Sequence, residues 1–331
     1  MLRLTRITGI TLLSAIIVSP AFAQTDPKTA PLAKPAVAAT VNGQAIYEPA
    51  VERALQGVAA EERAKMRTDV INFIVDNTII DQYLAAIKVV VDPKDIAGQL
   101  VNFKDEIKKN NQDYETLLLK MKLTEAELKE QIHNQLRWEK FVSQQATDEK
   151  LLALFNHMPE AFDGTTVRAR HILLAATDDK SKQESLAKMT AIKAEIEKAV
   201  NAGLAKSPNA DEVTKVRVIE DAFADAAKKY STCPSKAEGG DLRYFPRYGS
   251  MVEPFSKAAF ALKPYQISEP VPTQFGYHLI LVTHRKAGIP TKFEDPKVKD
   301  AVKEVYEARL REAVLGQMKP RATVEIAGAK N

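Results

Sequence analysis

The strongest constraint on the fold is a change of hydrophobic period near Thr165. Before it, apolar residues recur at the spacing of α-helices. In the segment that follows, one set of residues alternates with another: Val167, Ala169, His171 and Leu173 with Arg168, Arg170 and Ile172. This is the period-two signal of a β-strand. The chain has 331 residues, more than one hydrophobic core usually serves. We therefore predict an α+β protein of more than one domain.

The helical part begins after a short strand. Ala38–Val41 leads into the turn residues Asn42 and Gly43, and Ala45–Tyr47 continues beyond the turn. From there to about residue 150 the pattern predicts four or five helices, one of which starts with a capping box at Thr124–Glu127. One helix carries a wide apolar face made by Val70, Phe73, Ile74, Ile80, Leu84 and Ile87.

The part after Thr165 mixes helices and strands. Two helices, at 185–202 and 220–230, are followed by a loop at 231–249 that is rich in proline and glycine. The other predicted elements are strands at 242–245, 267–271 and 277–283, a helix at 295–318 and a closing strand at 322–326. Because Ala38–Val41 and Ala322–Ile326 otherwise lack partners, we expect them to pair and to bring both chain ends into one lobe.

Residues 1–23 have the three parts of a secretory signal peptide. Two arginines precede an apolar run from Ile7 to Val18, and Ala21–Ala23 fits an A-x-A cleavage site. The run has 12 residues, fewer than the roughly 20 that cross a bilayer, and no later segment is long and apolar enough. Residues 24–36 are rich in proline and alanine and are predicted to be a flexible linker. The sequence thus predicts an exported protein, periplasmic or secreted.

Composition and charge exclude several classes of protein. With 45% apolar and 27% charged residues, the chain resembles an ordinary globular protein rather than a collagen or a disordered chain. Its formal net charge of +4 gives no support to nucleic-acid binding. The single cysteine, Cys233, cannot form an internal disulfide, so the hydrophobic cores must stabilise the fold without one.

The segment from Arg168 to Val282 resembles the parvulin family of peptidyl-prolyl isomerases. The resemblance rests on six ordered blocks, at Arg170–Leu174, Tyr230–Ser235, Gly239–Leu242, Met251–Phe255, Ala258–Leu262 and Phe275–Ile280. The flanking regions, from Val41 through the helices to Val142 and again in the closing helix and strand, resemble the chaperone lobe of exported foldases of the SurA and PrsA type.

These resemblances imply a domain organisation and a function. A helical chaperone lobe at 37–160 and 289–331 receives an inserted parvulin domain at 161–288, in which helices pack on a small antiparallel sheet. The implied activity is peptidyl-prolyl cis–trans isomerisation without a cofactor. The implied partners are unfolded or non-native polypeptides with X-Pro bonds, and neither nucleic acid nor stable membrane insertion is expected. The sequence leaves the oligomeric state open.

The parvulin resemblance also implies the residues of the site. It assigns the catalytic positions, two histidines on strands and two small polar residues in a loop, to His171, His278, Ser231 and Cys233. It assigns the apolar wall of the proline pocket to Leu242, Met251 and Phe255. It places Thr273 near the two histidines. No metal ligand is implied.

Isomerisation of an X-Pro bond needs no covalent chemistry. The barrier of about 18–20 kcal/mol is the amide resonance lost in the twisted state. A pocket that grips the proline ring, excludes water and favours the twisted geometry lowers that barrier. We therefore expect the histidines and Cys233 to form a polar network, in which Cys233 is not a nucleophile.

Each feature also has a plainer interpretation. Without its context, His171 would be a hydrogen-bonded core histidine and Cys233 a small buried hydrophobe. Met251 and Phe255, four residues apart, could be core residues on one helix face. A Cys-His hydrolase would need a third, orienting group that the sequence does not show. A zinc site is disfavoured because short ligand spacings such as C-x-x-C are absent.

Two remaining features concern the clients. Asp178 and Asp179 follow the first strand of the parvulin-like segment, where recognition of a phosphorylated residue would require a basic cluster, so we expect unphosphorylated clients. The connection at 202–218 is longer than is usual in the family. The alternative function is a holdase that binds unfolded polypeptides in its helical lobe and whose parvulin domain is inactive or secondary.

Overall fold

The computed structural model of the protein describes residues 35–176, 178–206 and 208–328. The predicted signal peptide at 1–23 lies outside the described residues, as does the predicted linker up to residue 34.

The described chain divides into two compact units. One is formed by residues 35–150 together with 303–328, and the other by residues 151–302. Both ends of the described chain therefore build one unit and the other is inserted between them, as predicted. The domain boundaries expected at 160/161 and 288/289 stay predictions.

The described residues form seven strands and ten α-helices. The strands are β1 (Val37–Val41), β2 (Gln44–Tyr47), β3 (Thr166–Ala175), β4 (Asp241–Pro246), β5 (Val271–Thr273), β6 (Gly276–Lys286) and β7 (Val324–Ile326). The helices are α1 (Glu48–Ala54), α2 (Ala60–Ala86), α3 (Pro93–Lys109), α4 (Tyr114–Met121), α5 (Glu125–Gln145), α6 (Asp148–His157), α7 (Asp179–Ala205), α8 (Glu212–Tyr230), α9 (Glu253–Ala261) and α10 (Pro296–Met318). None of these helices is long and apolar enough to cross a membrane.

The first unit contains a three-stranded antiparallel sheet of order β2-β1-β7. In it, Val41 pairs with Val324 although the two residues come from opposite ends of the chain. The N–H of Asn42 extends the contact by donating to Thr323 O at 2.8 Å. The predicted pairing of the two end strands is confirmed, with β7 beginning two residues later than predicted.

The helices of the first unit pack on this sheet and on each other. Ile74 and Ile79 of α2 are buried against β1 and α1, and a second hydrophobic cluster joins α2, α5 and α10. The predicted capping box at the start of α5 is confirmed, because Thr124 and Glu127 bond each other's backbone N–H groups.

Two residues of the predicted apolar face of α2 lie outside its core. Phe73 is 37% exposed, and the Arg311 guanidinium lies over its ring at 5.9 Å. Ile87 is 45% exposed because α2 ends one residue before it.

The second unit is built on a four-stranded antiparallel sheet of order β4-β3-β6-β5. Successive strand residues point to opposite faces, so each face has its own cover. Ile172 and Leu279 belong to the core under α7 and α8. Ala169 and Ile280 belong to the core under α9. The predicted small antiparallel sheet packed by helices is confirmed.

The strand predicted at 267–271 is wrong. Ile267 forms only an isolated bridge to Leu281, and regular pairing starts at Val271. Pro270 has no N–H to donate to a ladder. Tyr265 has a φ of 64°, a left-handed conformation that interrupts the extended backbone.

The helices α7 and α8 are longer than predicted, so the connection between them is only 206–211. The sequence suggested a break because Gly203 and Pro208 disfavour helix interiors. Gly203 instead allows the two helices to pack closely, since a Cβ there would lie 2.6 Å from a Val218 methyl group.

Truncation after Met318 should destabilise the first unit by roughly 2–4 kcal/mol, because it removes the β7 ladder and the packing of Ile326 on the core. The single tryptophan, Trp138, lies in this unit, so its fluorescence during urea unfolding reports on the unit directly. Truncation after Gly328 keeps β7 and is the matched control. An unchanged unfolding midpoint after the longer truncation would contradict a stabilising role of β7.

Candidate active site

Two buried histidines lie side by side on the central strands of the second unit. In the β3–β6 ladder His171 pairs with Ile280 and His278 with Leu173, so the two histidines are diagonal neighbours on one face. Their rings stack with centroids 5.4 Å apart, and their Nδ1 atoms are 3.2 Å apart. Both side chains belong to residues that are only 5% exposed.

Hydroxyl groups continue this contact at both ends. Ser235 Oγ lies 3.0 Å from His171 Nε2, and Thr273 Oγ1 lies 2.9 Å from His278 Nε2. Thr273 Oγ1 also reaches Gly276 O at 3.3 Å. We call the row Ser235, His171, His278 and Thr273 the histidine chain. Each of its four ring nitrogens has a hydrogen-bonding partner.

Burial keeps the histidine chain neutral. It lowers the pKa of His171 to about 4, and burial together with the neighbouring His171 lowers the pKa of His278 to about 4. A neutral imidazole has one donor and one acceptor nitrogen. Both rings therefore act as one-donor, one-acceptor links at neutral pH.

The hydrogen-bond partners at the two ends of the histidine chain indicate which ring nitrogens carry the protons. If Thr273 donates to Gly276 O, it accepts from His278 Nε2, and His278 Nδ1 then accepts from His171 Nδ1. His171 Nε2 is left as an acceptor for the hydroxyl of Ser235. The reverse direction would lose the bond from Thr273 to Gly276 O, so the first arrangement satisfies more groups.

Gly240 lets the loop with Ser235 approach His171. The N–H of His171 donates to Gly240 O, and the N–H of Gly240 donates to Ser235 O, both at 2.9 Å. Gly240 has a φ of 78°, and a Cβ there would lie 2.2 Å from His171 O. Only glycine allows this approach of β4 to β3.

The other two predicted catalytic residues lie in the same loop but not in the histidine chain. Ser231 is 3% exposed, and its Oγ accepts from the N–H groups of Leu173 (3.1 Å) and Cys233 (3.2 Å). It thus ties the loop to β3 without reaching a ring. Cys233 is a half-buried free thiol, and no hydrogen bond of its Sγ is present within the described ranges.

The predicted apolar wall adjoins the histidine chain. The Phe255 ring meets both imidazoles edge to face, with centroids 5.7 Å from His171 and 5.2 Å from His278. Phe255 is only 2% exposed and belongs to the core under α9. Leu242 and Met251 are partly buried and pack against the same core. Phe255 therefore forms the floor of the site, and Leu242 and Met251 retain exposed surface.

Sequence reasoning missed Ser235. It belongs to the short 3₁₀ helix Pro234–Glu238, which starts at the proline after Cys233. That proline predicts a tight turn, and a hydroxyl just inside a turn beside a predicted site residue was the available signal. Across the described residues, no group of three or more His, Cys, Asp or Glu side chains could hold a metal ion.

Comparisons with known families match both parts of the chain. The family described as SurA-like N-terminal domain matches residues 2–142. The family described as PPIC-type PPIASE domain matches residues 205–284, which include the loop with Ser235 and His278 but begin after His171.

Individual relatives are foldases. Foldase protein PrsA of Bacillus subtilis is 42% identical over 129 residues, which cover 37% of this chain and 42% of the relative. Foldase protein PrsA 3 of Bacillus anthracis is 30% identical over 258 residues, which cover 76% of this chain and 72% of the relative. The matches to the PrsA of B. subtilis and to PrsA 1 of Bacillus cereus span only 42% and 52% of those proteins.

The crystal structure of the peptidylprolyl isomerase PrsA from Bacillus anthracis is 24% identical and aligns with a TM-score of 0.43, covering 72% of this chain and 94% of that chain. The match to PrsA 3 extends over more than two thirds of both sequences. The chain belongs to the PrsA family of foldases, with a SurA-like N-terminal domain and a PPIC-type PPIase domain.

Proposed function

We propose that the protein is a peptidyl-prolyl cis–trans isomerase that assists the folding of exported proteins. Its substrates are X-Pro bonds in unfolded or non-native, unphosphorylated polypeptides. The signal-like pattern of residues 1–23 supports export, to the periplasm or to the outside of the cell.

The observation that carries the proposal is the histidine chain beside the apolar wall. All four ring nitrogens are engaged with neighbours inside the protein, so the two imidazoles form one internal polar network. This arrangement suits a reaction that moves no proton and breaks no bond. The match of residues 205–284 to a PPIC-type PPIase domain supports isomerisation over the hydrolase that a hydroxyl bonded to an imidazole could otherwise form.

The site can favour the twisted amide by shape and polarity. The partly exposed side chains of Leu242 and Met251 offer apolar contact for a proline ring. Such contact removes water from the amide. The planar amide has the more polar resonance form, so it loses more solvation than the twisted amide, and the twisted state is favoured. The Phe255 floor and the rigid histidine chain keep the site in one shape, so binding energy is directed to the transition state.

The activity is best measured on the full chain without a coupling protease. Exchange spectroscopy by NMR on a peptide with one X-Pro bond reads the cis–trans rate directly. Uncatalysed exchange takes tens to hundreds of seconds, so acceleration by catalytic amounts of protein is unmistakable. A rate unchanged by the folded protein would refute the isomerase proposal.

Met251→Ala should lower kcat/KM about tenfold, because an apolar contact to the proline ring is worth roughly 1–3 kcal/mol. Met251 is the preferred position since it is only partly buried. Phe255→Ala should also reduce activity, but removal of a core ring costs about 3–5 kcal/mol of stability and confounds the result. Leu186→Ala, an exposed position on α7, is the matched control and should leave the rate unchanged. Equal rates in Met251→Ala and Leu186→Ala would show that Met251 does not contact the proline ring.

Cys233→Ser should retain at least about a third of wild-type kcat/KM. The thiol makes no described hydrogen bond, and isomerisation requires no thiolate attack. The assay is the same peptide exchange measurement. Complete loss of activity in a Cys233→Ser protein with an unchanged melting temperature would indicate covalent catalysis instead.

The activity should persist in mild acid. Because the pKa of both His171 and His278 is lowered to about 4, the histidine chain stays neutral down to about pH 5, and kcat/KM should fall only as pH approaches 4. Protonation gives a ring two donors and removes the acceptor on which its neighbour depends. The peptide exchange rate between pH 4 and 8 is the measurement, and circular dichroism at each pH detects unfolding. A midpoint near 6.5 would mean that the rings titrate as exposed histidines.

The second candidate function is a holdase, which the match of residues 2–142 to the SurA-like N-terminal domain favours. Light scattering during aggregation of a denatured client separates the two functions. A pure holdase suppresses aggregation as well in Met251→Ala as in the wild type and does not accelerate peptide exchange. An isomerase accelerates exchange, and Met251→Ala impairs it.

A further inference from the structure

Arg170 holds the loop of the site from the face of the sheet opposite to the histidines. Residues 231–240, the site loop, connect α8 to β4. Arg170 precedes His171 on β3, and neighbouring strand residues point to opposite faces. Its Nη1 donates to two consecutive carbonyl oxygens of the site loop, Glu238 O at 2.9 Å and Gly239 O at 3.2 Å. Its Nη2 lies 3.6 Å from a carboxylate oxygen of Glu220 on α8.

The site loop is shaped to receive this guanidinium. Gly239 has a φ of 64°, a conformation that favours glycine. A Cβ at Gly239 would lie 3.1 Å from Arg170 Nη1 and 2.7 Å from the Ala224 Cβ on α8. The absence of a side chain therefore lets the loop fit between Arg170 and α8.

The contact of Arg170 leads to the histidine chain in three bonded steps. Arg170 fixes the carbonyl of Gly239, and the next residue, Gly240, donates to Ser235 O at 2.9 Å. Ser235 Oγ then bonds His171 Nε2 at 3.0 Å. The site loop is thus held on one face of β3 by Arg170 and on the other by His171.

We propose that Arg170 is a positioning residue: by fixing the site loop, it places the Ser235 hydroxyl where it donates to His171 Nε2 and so stabilises the proton direction that Thr273 favours at the other end of the histidine chain. The proposal rests on the proposed isomerase function only for its kinetic consequences. Ser235 belongs to the same mechanism, because its hydroxyl is the first donor of the chain.

The geometry requires arginine rather than a positive charge alone. One Nη1 serves two carbonyls while the other nitrogen faces Glu220, a division that a planar guanidinium allows. An ammonium group at the end of a flexible stem has no fixed fork. Arg170→Lys therefore keeps the charge and removes the positioning.

The test is a double-mutant cycle in the full chain, with Arg170→Lys, Ser235→Ala and both together. Each single variant should lower kcat about tenfold with little change in KM. The double variant should be no more than about twice as impaired as Ser235→Ala, because Arg170 acts through Ser235. Ser235→Thr keeps a hydroxyl and should recover most of the rate. Independent contributions would instead multiply to about a hundredfold loss and overturn the proposal.

A second readout does not depend on activity. The chain has five histidines, so the imidazole nitrogen signals can be resolved by NMR. The wild type should carry the proton on His171 Nδ1 and on His278 Nε2, and Arg170→Lys and Ser235→Ala should both shift these populations. Unshifted tautomers in Arg170→Lys overturn the proposal even if the variant is less stable. Should the wild type lack isomerase activity, the proposed function fails while this readout still decides the positioning.

Two further variants complete the test. Arg243→Lys is the control, because Arg243 also faces Glu238 of the site loop, but through an exposed ion pair at 2.9 Å and without bonding its backbone carbonyls. It should leave both kcat and the tautomers unchanged. Should Arg170→Lys fail to fold, Glu220→Gln weakens the support of the guanidinium from α8 and should shift the tautomers in the same direction. No shift in a folded Glu220→Gln protein would then count against the proposal.

Discussion

The register of β3 against β6 is the constraint on which the site depends. The ladder runs from Thr166 opposite Lys286 to Ala175 opposite Gly276. A slip of one residue would turn His278 to the opposite face and separate it from His171. Two buried faces resist such a slip, because one must meet α7 and α8 and the other α9. The end of the ladder adds a steric limit: a Cβ on Gly276 would lie 2.1 Å from Leu174 O.

This register places polar groups in an apolar environment, and full pairing makes that placement tolerable. A buried polar group without a partner costs about 1–3 kcal/mol. The histidine chain avoids the cost because each ring nitrogen faces a neighbour and the ends are hydroxyls that can donate or accept. The same apolar surroundings lower the pKa of both rings, so the chain is neutral as well as satisfied. Rigidity and neutrality at this site have one cause, which is the packing of Phe255 and the cores on both sides of the sheet.

The parts of the site that the sequence could predict are those set by local periodicity. Alternation around His171 is a property of a few consecutive residues, and it places the histidine on a strand, β3. The conformation of the site loop depends instead on contacts with β3 and α8 that are distant in sequence. Sequence reasoning selects Ser231 of this loop and misses Ser235. Gly239 and the 3₁₀ helix direct Ser235 to the ring, while Ser231 bonds the backbone of β3.

The interpretation of Phe255 shows a different limit. A pocket wall and a core residue use the same residue type, so the sequence leaves both open. At 2% exposed, Phe255 is a core residue that also touches both imidazoles. The two interpretations are therefore compatible, because the floor of the site is the top of the core.

The two units differ in how their segments are arranged along the sequence. The second unit is one continuous segment, residues 151–302, which contains the whole β4-β3-β6-β5 sheet and the helices α7, α8 and α9. The first unit needs β7, and the contact of Thr40 with Glu325 spans 285 positions in sequence. Loop closure over such a distance costs more entropy than local pairing, although the cost grows only logarithmically with length. The histidine chain lies entirely within the continuous second unit, so its contacts do not require the pairing of β1 with β7.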